Sequence, residues 1–246
     1  VGGVCTAKLA EAEVMVEGGV TDILIPNQVV HRDKIARMCA LARQADMKVC
    51  VDNLDNVQDL SEVAQAYGVK LGVLIEVNTS MGRAGVRSAE EGVAIAKLAD
   101  RLPGVDFMGV MSHQSLTDFE DKEQRFRVGR ETIQVCLDVK TAIEAEGISV
   151  EMVSSGETFT IDVAATMEGV TEVEGGTYAL GGTNYFYMED FQIANKVLGT
   201  VISTPRTGVA IGDVGLMGLS GPGADYVEGM PDISVDELLE DHIVLK

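Results

Sequence analysis

Two loops rich in Ser, Thr and Gly have the residue types that bind phosphate. The first is SSGETFT (154–160) and the second is EGGTY (174–178), and each lies at the end of a strand-like run. Glycine lets backbone N–H groups approach an anion without a Cβ in the way, and hydroxyl groups add further hydrogen bonds. Either loop alone could be an ordinary turn, because Ser, Gly and Thr dominate turns. Because the two loops follow successive strands, a phosphate site and a pair of ordinary turns are equally favoured interpretations.

Two further side chains follow apolar runs and could contact an anion or a ring. Arg83 lies in NTSMGRAG (78–85), flanked by glycines, where a guanidinium could bond an anionic oxygen. The alternative is an ion pair with one of the many acidic residues. His113 ends the apolar run FMGVMSH (107–113) and could pack over a flat ring or transfer a proton. His113 could equally be a polar residue at a strand end whose hydrogen bonds are made within the protein and which has no functional role.

The elements that would position these residues alternate between short apolar runs and longer amphipathic runs. Nearly continuous apolar runs are typical of strands buried on both faces of a parallel sheet. Seven such strands are predicted, at 1–5, 22–27, 48–53, 71–78, 107–113, 150–155 and 171–178. The intervening helical segments include a long one from about Asp121 to Gly147. The pattern predicts an α/β fold, either a (β/α)8 barrel or an open doubly wound sheet, and periodicity does not separate the two.

The character of the sequence changes after Met188. The run NKVLGTVISTP (195–205) is β-branched and partly alternating, and Gly- and Pro-rich segments follow it without an intervening helix. This pattern predicts the start of an antiparallel β-domain. We therefore expect a barrel domain over 1–190 and the beginning of a β-domain over 191–246. The chain starts at Val1 inside a strand-like run and stops within another, so we expect both domains to be incomplete.

Composition narrows the function classes. The formal net charge is −20, which disfavours nucleic acid and anionic membranes because phosphate binding needs Lys and Arg. No apolar run approaches the length of a membrane span. The four cysteines contain no CxxC pair, and we expect free, mostly buried thiols in a reducing, cytoplasmic compartment.

Several segments together resemble one family. VCTAKLAEAEVMVEGGVTDILIPNQVV, DNLDNVQDLSEVAQAYGVKLGVLIEVNTSMGRAGV, VSSGETFTIDVA and GVTEVEGGTYAL resemble the D-threonine aldolase and D-serine dehydratase group. These are fold-type III pyridoxal-phosphate enzymes with an alanine-racemase-like barrel. IGDVGLMGLSG and LLEDHIVL resemble the opening of the group's C-terminal β-domain. The resemblance covers almost the whole chain and implies a TIM-like (β/α)8 barrel that lacks its first strand here.

The resemblance implies roles for individual residues around pyridoxal 5'-phosphate. Thr158 and the backbone of Gly176 and Thr177 would hold the cofactor phosphate, and Ser155 and Gly156 would shape the same loop. Tyr185, in TNYFYM, matches a tyrosine that lies on the cofactor.

Two other residues would lie around the cofactor ring. Arg83 would lie near the phenolic oxygen or the substrate side of the ring. His113 would lie near the ring, although GVMSHQS departs from the Gly-Tyr-x-Gly-His form common in the family.

Other family positions differ or fall outside these 246 residues. The Schiff-base lysine belongs to a motif on the first barrel strand, upstream of Val1, so no catalytic residue is assigned. The divalent-metal ligands lie beyond Lys246, so no metal ligand is expected in this chain. Lys8 matches a different family position, and Ala7 stands where some relatives have a cofactor-contacting Gln.

The function implied is a pyridoxal-phosphate-dependent lyase acting on a D-β-hydroxy-amino acid. Retro-aldol cleavage would yield glycine and an aldehyde, whereas elimination would dehydrate the substrate. The alternatives are an amino-acid racemase of the same fold and a non-catalytic cofactor-binding module. We expect a homodimer at full length, and we expect these 246 residues alone to be inactive, since the Schiff-base lysine is absent.

Overall fold

The structure is a computed structural model that describes residues 2–114, 121–181, 191–219 and 226–246. It divides into two compact units, Val1–Gly176 and Thr177–Lys246. The predicted domain boundary, after residue 190, falls inside the second unit.

The first unit alternates strands and helices, as the sequence pattern predicts. Its strands are β1 (Val4–Cys5), β2 (Asp22–Ile25), β3 (Asp46–Val51), β4 (Leu71–Glu76), β5 (Val105–Ser112) and β6 (Met152–Ser155). Its helices are α1 (Leu9–Glu17), α2 (Arg32–Leu41), α3 (Leu54–Tyr67), α4 (Ala89–Ala99), α5 (Lys122–Ala145) and α6 (Ile161–Ala164).

The six strands form one parallel sheet in the order β1-β2-β3-β4-β5-β6. A doubly wound sheet reverses its strand order at a switch point, and no reversal occurs among these six strands. The open doubly wound alternative is therefore wrong for this part of the chain. Consecutive parallel strands joined by helices are the arrangement of neighbouring strands in a (β/α) barrel.

Local sequence signals determine where the helices begin and end. The Asn53 side chain accepts hydrogen bonds from the backbone N–H groups of the first turn of α3, and Ser88 caps α4 in the same way. α3 ends at Gly68, whose left-handed conformation (φ 66°) favours glycine.

Apolar side chains cover both faces of the sheet. One face packs against the helices in a large cluster that includes Ile23, Val49, Val73 and Val153. On the other face, β2 to β5 each contribute one side chain to a smaller cluster, formed by Leu24, Cys50, Leu74 and Met111. Burial on both faces explains why the strand sequences are almost continuously apolar.

The predicted seventh strand, 171–178, is wrong in extent. It is reduced to a single parallel bridge between Glu172 and Ser154. The backbone still runs beside β6, because Ser155 N donates to Glu172 O (3.1 Å) and Glu174 N donates to Gly156 O (2.9 Å). Two glycines follow Glu174, and glycine weakens a strand interior, so the ladder does not continue.

The second unit begins with a short 3-10 helix, Thr177–Ala179, and four strands lie in its described residues. These are β7 (Val201–Arg206), β8 (Val209–Gly212), β9 (Val235–Leu238) and β10 (Ile243–Leu245). They form an antiparallel sheet in the order β7-β8-β10-β9. The prediction of a separate antiparallel region after the α/β region is confirmed.

All four cysteines are free. Cys39, Cys50 and Cys136 are buried, whereas Cys5 at the end of β1 is exposed. In the described parts of the chain, no helix is both long and apolar enough to cross a membrane.

Gly109 gives a prediction about stability. A β-bulge brings its Cα so close to β6 that a Cβ would lie 1.9 Å from the carbonyl oxygen of Met152. We expect Gly109→Ala to lower the free energy of unfolding by about 1–3 kcal/mol, because a backbone atom cannot move aside like a side chain. Urea unfolding measures this. Gly2→Ala is the control, since nothing lies within 4 Å of its added Cβ, and equal stability of the two variants would contradict the prediction.

Candidate functional site

Parallel strands bring their carboxyl ends to one edge of the sheet, and polar side chains collect there. Glu76, Ser112 and Ser155 are the last residues of β4, β5 and β6, and all three are buried. In a (β/α) barrel this edge carries the functional site. The predicted site residues Arg83, His113, Gly156 and Thr158 all follow strands that end at this edge.

Arg83 is held by a buried carboxylate. Its Nη2 lies 3.5 Å from Oε1 of Glu76, while Nε2 of Gln28 lies 2.5 Å from Oε2 of the same carboxylate. The Glu76 side chain is 4% exposed and that of Arg83 is 47% exposed. The pairing of Arg83 is therefore with a carboxylate at the edge of the sheet and not with a surface acid.

The loop that carries Arg83 is fixed by two hydrogen bonds from backbone to side chain. Gly82 N donates to Oδ1 of Asn78 (2.8 Å), and Gly85 N donates to Oδ2 of Asp52 (2.9 Å). Asp52 follows β3 and Asn78 follows β4, so neighbouring strands together set the course of this loop.

His113 is half-buried directly after β5. Burial, and secondarily the positive charge of Arg83, lower the pKa of His113 below its usual value. The imidazole is therefore neutral at pH 7 and able to accept a proton.

Gln114 joins the ends of β5 and β6 in a buried polar network. Its Nε2 donates to Oγ of Ser112 (2.7 Å) and of Ser155 (3.2 Å), and its Oε1 accepts from Gly156 N (3.2 Å). The two serine hydroxyls are 2.9 Å apart. Ser155 and Gly156 thus have fixed positions at the start of the 154–160 loop.

The loop after β6 is buried throughout residues 154–160. Gly156 has φ 105°, and a Cβ there would lie 2.6 Å from Cβ of Ala164, so this position requires glycine. Thr158 is 1% exposed. The loop is packed into the protein and is not an exposed surface turn.

An ion pair between a buried guanidinium and a partly exposed carboxylate holds the far end of this loop. Arg125, on α5, donates to both carboxylate oxygens of Asp162 (2.7 and 2.6 Å) and to the carbonyl oxygen of Phe159 (2.6 Å). The Arg125 side chain is only 4% exposed. A bidentate contact of this kind fixes orientation as well as distance.

Glu157 is a buried carboxyl group within the loop. It is 8% exposed, and its Oε1 has no hydrogen-bond partner among the described residues. Burial raises the pKa of Glu157 to about 7, although the backbone N–H groups of Phe159 and Thr158 and the charge of Arg125 oppose the shift.

The second predicted loop, 174–178, starts at another acidic residue. Ser154 Oγ donates to Oε1 of Glu174 (2.5 Å), and the Cys5 thiol donates to Oε2 (3.0 Å). Burial raises the pKa of Glu174, while these two bonds oppose the shift. Its carboxylate is thus engaged with the ends of β1 and β6. Space is open around Gly176, and Thr177 begins the 3-10 helix of the second unit.

The structure places the remaining candidate residues as follows. Tyr185 lies outside the described residues. Lys8 is exposed at the start of α1. Within the described ranges, no group of three or more His, Cys, Asp and Glu side chains is arranged to hold a metal ion.

Three residues of this site were not among the predicted site residues. The sequence contained an indication for Glu76, because it is the one charged residue within the apolar run LGVLIEVN. Gln114 follows His113 at a strand end and could have been included on position alone. Nothing in the sequence indicated a role for Arg125 in this site, because a charged residue on a long helix is normally exposed to solvent.

The fold and the polar strand ends define an α/β protein of the (β/α)-barrel class. The family model described as alanine racemase, N-terminal domain, matches residues 1–184. The chain belongs to that family.

Individual relatives are similar over nearly the full chain. A 3-hydroxy-D-aspartate aldolase of Paracoccus denitrificans is 31% identical over 99% of this chain, which spans 66% of that relative's length. The crystal structure of D-threonine aldolase from Filomicrobium marinum superposes with a TM-score of 0.93 at 29% identity, over 99% of this chain and 68% of that one. D-threo-3-hydroxyaspartate dehydratase from Delftia sp. HT23 gives 0.84 at 26% identity, over 99% and 70%.

Proposed function

We propose that this chain is the cofactor-binding part of a pyridoxal-phosphate-dependent lyase that acts on a D-β-hydroxy-amino acid. The observation that carries the proposal is the superposition on D-threonine aldolase over 99% of the chain. The relatives named as 3-hydroxy-D-aspartate aldolase and D-threo-3-hydroxyaspartate dehydratase support the same substrate class.

The described residues fit the phosphate group of this cofactor. A phosphate needs several donors held in place, and the 154–160 loop has a required glycine, buried hydroxyls and a network that fixes Ser155 and Gly156. We assign Thr158, Gly176 and Thr177 to phosphate binding, with Ser155 and Gly156 shaping the loop. Glu174 is bonded to Ser154 and Cys5, which directs its charge to the strand ends.

Arg83 and His113 are assigned to the ring and substrate side. A guanidinium has five N–H donors, more than the contact with Glu76 takes up, so Arg83 can also bond an anionic oxygen. His113, neutral at pH 7, can accept a proton from the substrate. Tyr185 keeps its assignment to the cofactor as a proposal from resemblance.

Pyridoxal phosphate, when bound, withdraws electrons from the bonds around the substrate's Cα. The protein's part is to bind the phosphate, orient the ring and position proton acceptors. The requirement for a divalent metal, the domain boundary after residue 190, the homodimer and the cytoplasmic location stay predictions.

The test is an assay of the protein expressed from its complete gene, with pyridoxal phosphate and a divalent cation. D-Threonine and D-threo-3-hydroxyaspartate are the substrates, and their L-enantiomers are the controls. We expect D-specific formation of glycine and an aldehyde for an aldolase, or of a 2-oxo acid and ammonia for a dehydratase. Interconversion of the enantiomers without cleavage would indicate a racemase instead and contradict the proposal.

A further inference from the structure

The Glu157 carboxyl group accepts hydrogen bonds from the backbone of the loop that we assign to phosphate binding. It lies between Gly156 and Thr158, and the backbone N–H groups of Thr158 and Phe159 donate to it. Backbone N–H groups of such a loop are what an anion binds. An ionised Glu157 would therefore both take up these donors and repel a phosphate.

Little positive charge is available to relieve that repulsion. Arg125 is the cation that acts on Glu157, and its guanidinium is already engaged by Asp162 and by the carbonyl of Phe159. Glu172 and Glu174 beside β6, His113 after β5 and Asp162 on α6 add no positive charge at pH 7. The further cations in the first half of α5, which are Lys122, Arg127 and Arg130, are exposed to solvent, and Arg125 is the cation whose charge lowers the pKa of Glu157.

We infer that binding of a phosphate monoester in this loop is coupled to uptake of one proton by the Glu157 carboxyl group. The inference rests on the proposed function. The proton comes from solvent and is placed on the carboxyl group, and no covalent bond to the ligand is formed. A neutral carboxylic acid is a hydrogen-bond donor, so the buried Oε1, which has no partner among the described residues, can then donate to a phosphate oxygen.

The sign of the pH dependence follows from this coupling. Burial gives the free protein a Glu157 pKa of about 7, so the group is largely ionised at pH 8.5 and largely neutral at pH 6. Binding needs the neutral form, so affinity falls as the pH rises above 7, by about tenfold per pH unit.

The experiment compares the wild-type protein with Glu157→Gln by calorimetric titration from pH 6 to pH 8.5. Gln has the same shape, cannot ionise and can donate from its amide. Pyridoxal phosphate and inorganic phosphate are the two probes, and two buffers with different ionisation enthalpies report proton uptake. We expect the variant to bind about thirty-fold more tightly than wild type at pH 8.5 and about equally at pH 6. Wild type should take up close to one more proton than the variant at pH 8.5.

Titration of the phosphate itself is common to both proteins and cancels in the comparison. Glu151→Gln, at an exposed position just before β6, is the control for a change in net charge, and thermal melts report whether each variant is folded. The same pH profile and proton uptake in wild type and Glu157→Gln would overturn this inference while leaving the proposed function intact. If wild type bound neither probe at any pH, both would fail.

Discussion

Thr158→Val is expected to weaken the binding of pyridoxal phosphate by about 1.5–3 kcal/mol, the scale of a hydrogen bond to a charged group. Valine keeps the volume and the branched shape of threonine but cannot donate to a phosphate oxygen. Thr158 is 1% exposed, so water cannot easily replace the lost donor. Fluorescence or calorimetric titration with the cofactor measures the change.

Thr132→Val is the matched control, because among the described residues the Thr132 hydroxyl donates only to backbone carbonyls of its own helix, α5. It should leave cofactor affinity unchanged. Urea unfolding of both variants separates an effect on binding from one on stability. Unchanged affinity in a folded Thr158→Val protein would remove Thr158 from the phosphate site.

Asp162→Asn is expected to lower the free energy of unfolding by about 3 kcal/mol. Removing one partner of a buried ion pair leaves the other charge uncompensated, which costs about 3–5 kcal/mol. The lower end applies because the Asp162 side chain is 37% exposed and partly screened by water, while that of Arg125 is 4% exposed. The loop end at Phe159 depends on the same guanidinium, so cofactor affinity should fall as well.

The pH dependence of this pair is a second measure. Burial alone would raise the pKa of Asp162, but hydrogen bonds and charge from Arg125 together hold it below its usual value. The stabilisation is therefore present at neutral pH and is lost as the pH falls through that lowered pKa. The difference in stability between wild type and Asp162→Asn should shrink in acid.

Glu62→Gln is the matched control, because it breaks one contact of the exposed Arg32 with Glu62, at 2.9 Å. Exposed ion pairs contribute about 1 kcal/mol or less. If the two variants lost equal stability, the Arg125–Asp162 pair would have no special part in holding the loop.

The alternation of apolar and amphipathic runs determined the α/β class and most strand positions. The loop sequences SSGETFT and EGGTY and the Arg83 segment also indicated where polar groups would gather. These signals are local, because the period of a strand or helix and the conformations open to glycine depend on a few neighbouring residues. The change of pattern after Met188 likewise predicted the antiparallel sheet.

Only the tertiary structure decided which polar residues are buried and what they contact. Arg125 and Asp162 are 37 positions apart, and Gln114 reaches Ser155 across 41 positions. Glutamate is a residue type that usually lies at the protein surface. Glu157 is buried because the loop packs against α5 and α6. The burial of a side chain and the identity of its hydrogen-bond partner depend on the whole fold, whereas the periodic pattern depends only on the sequence of each segment.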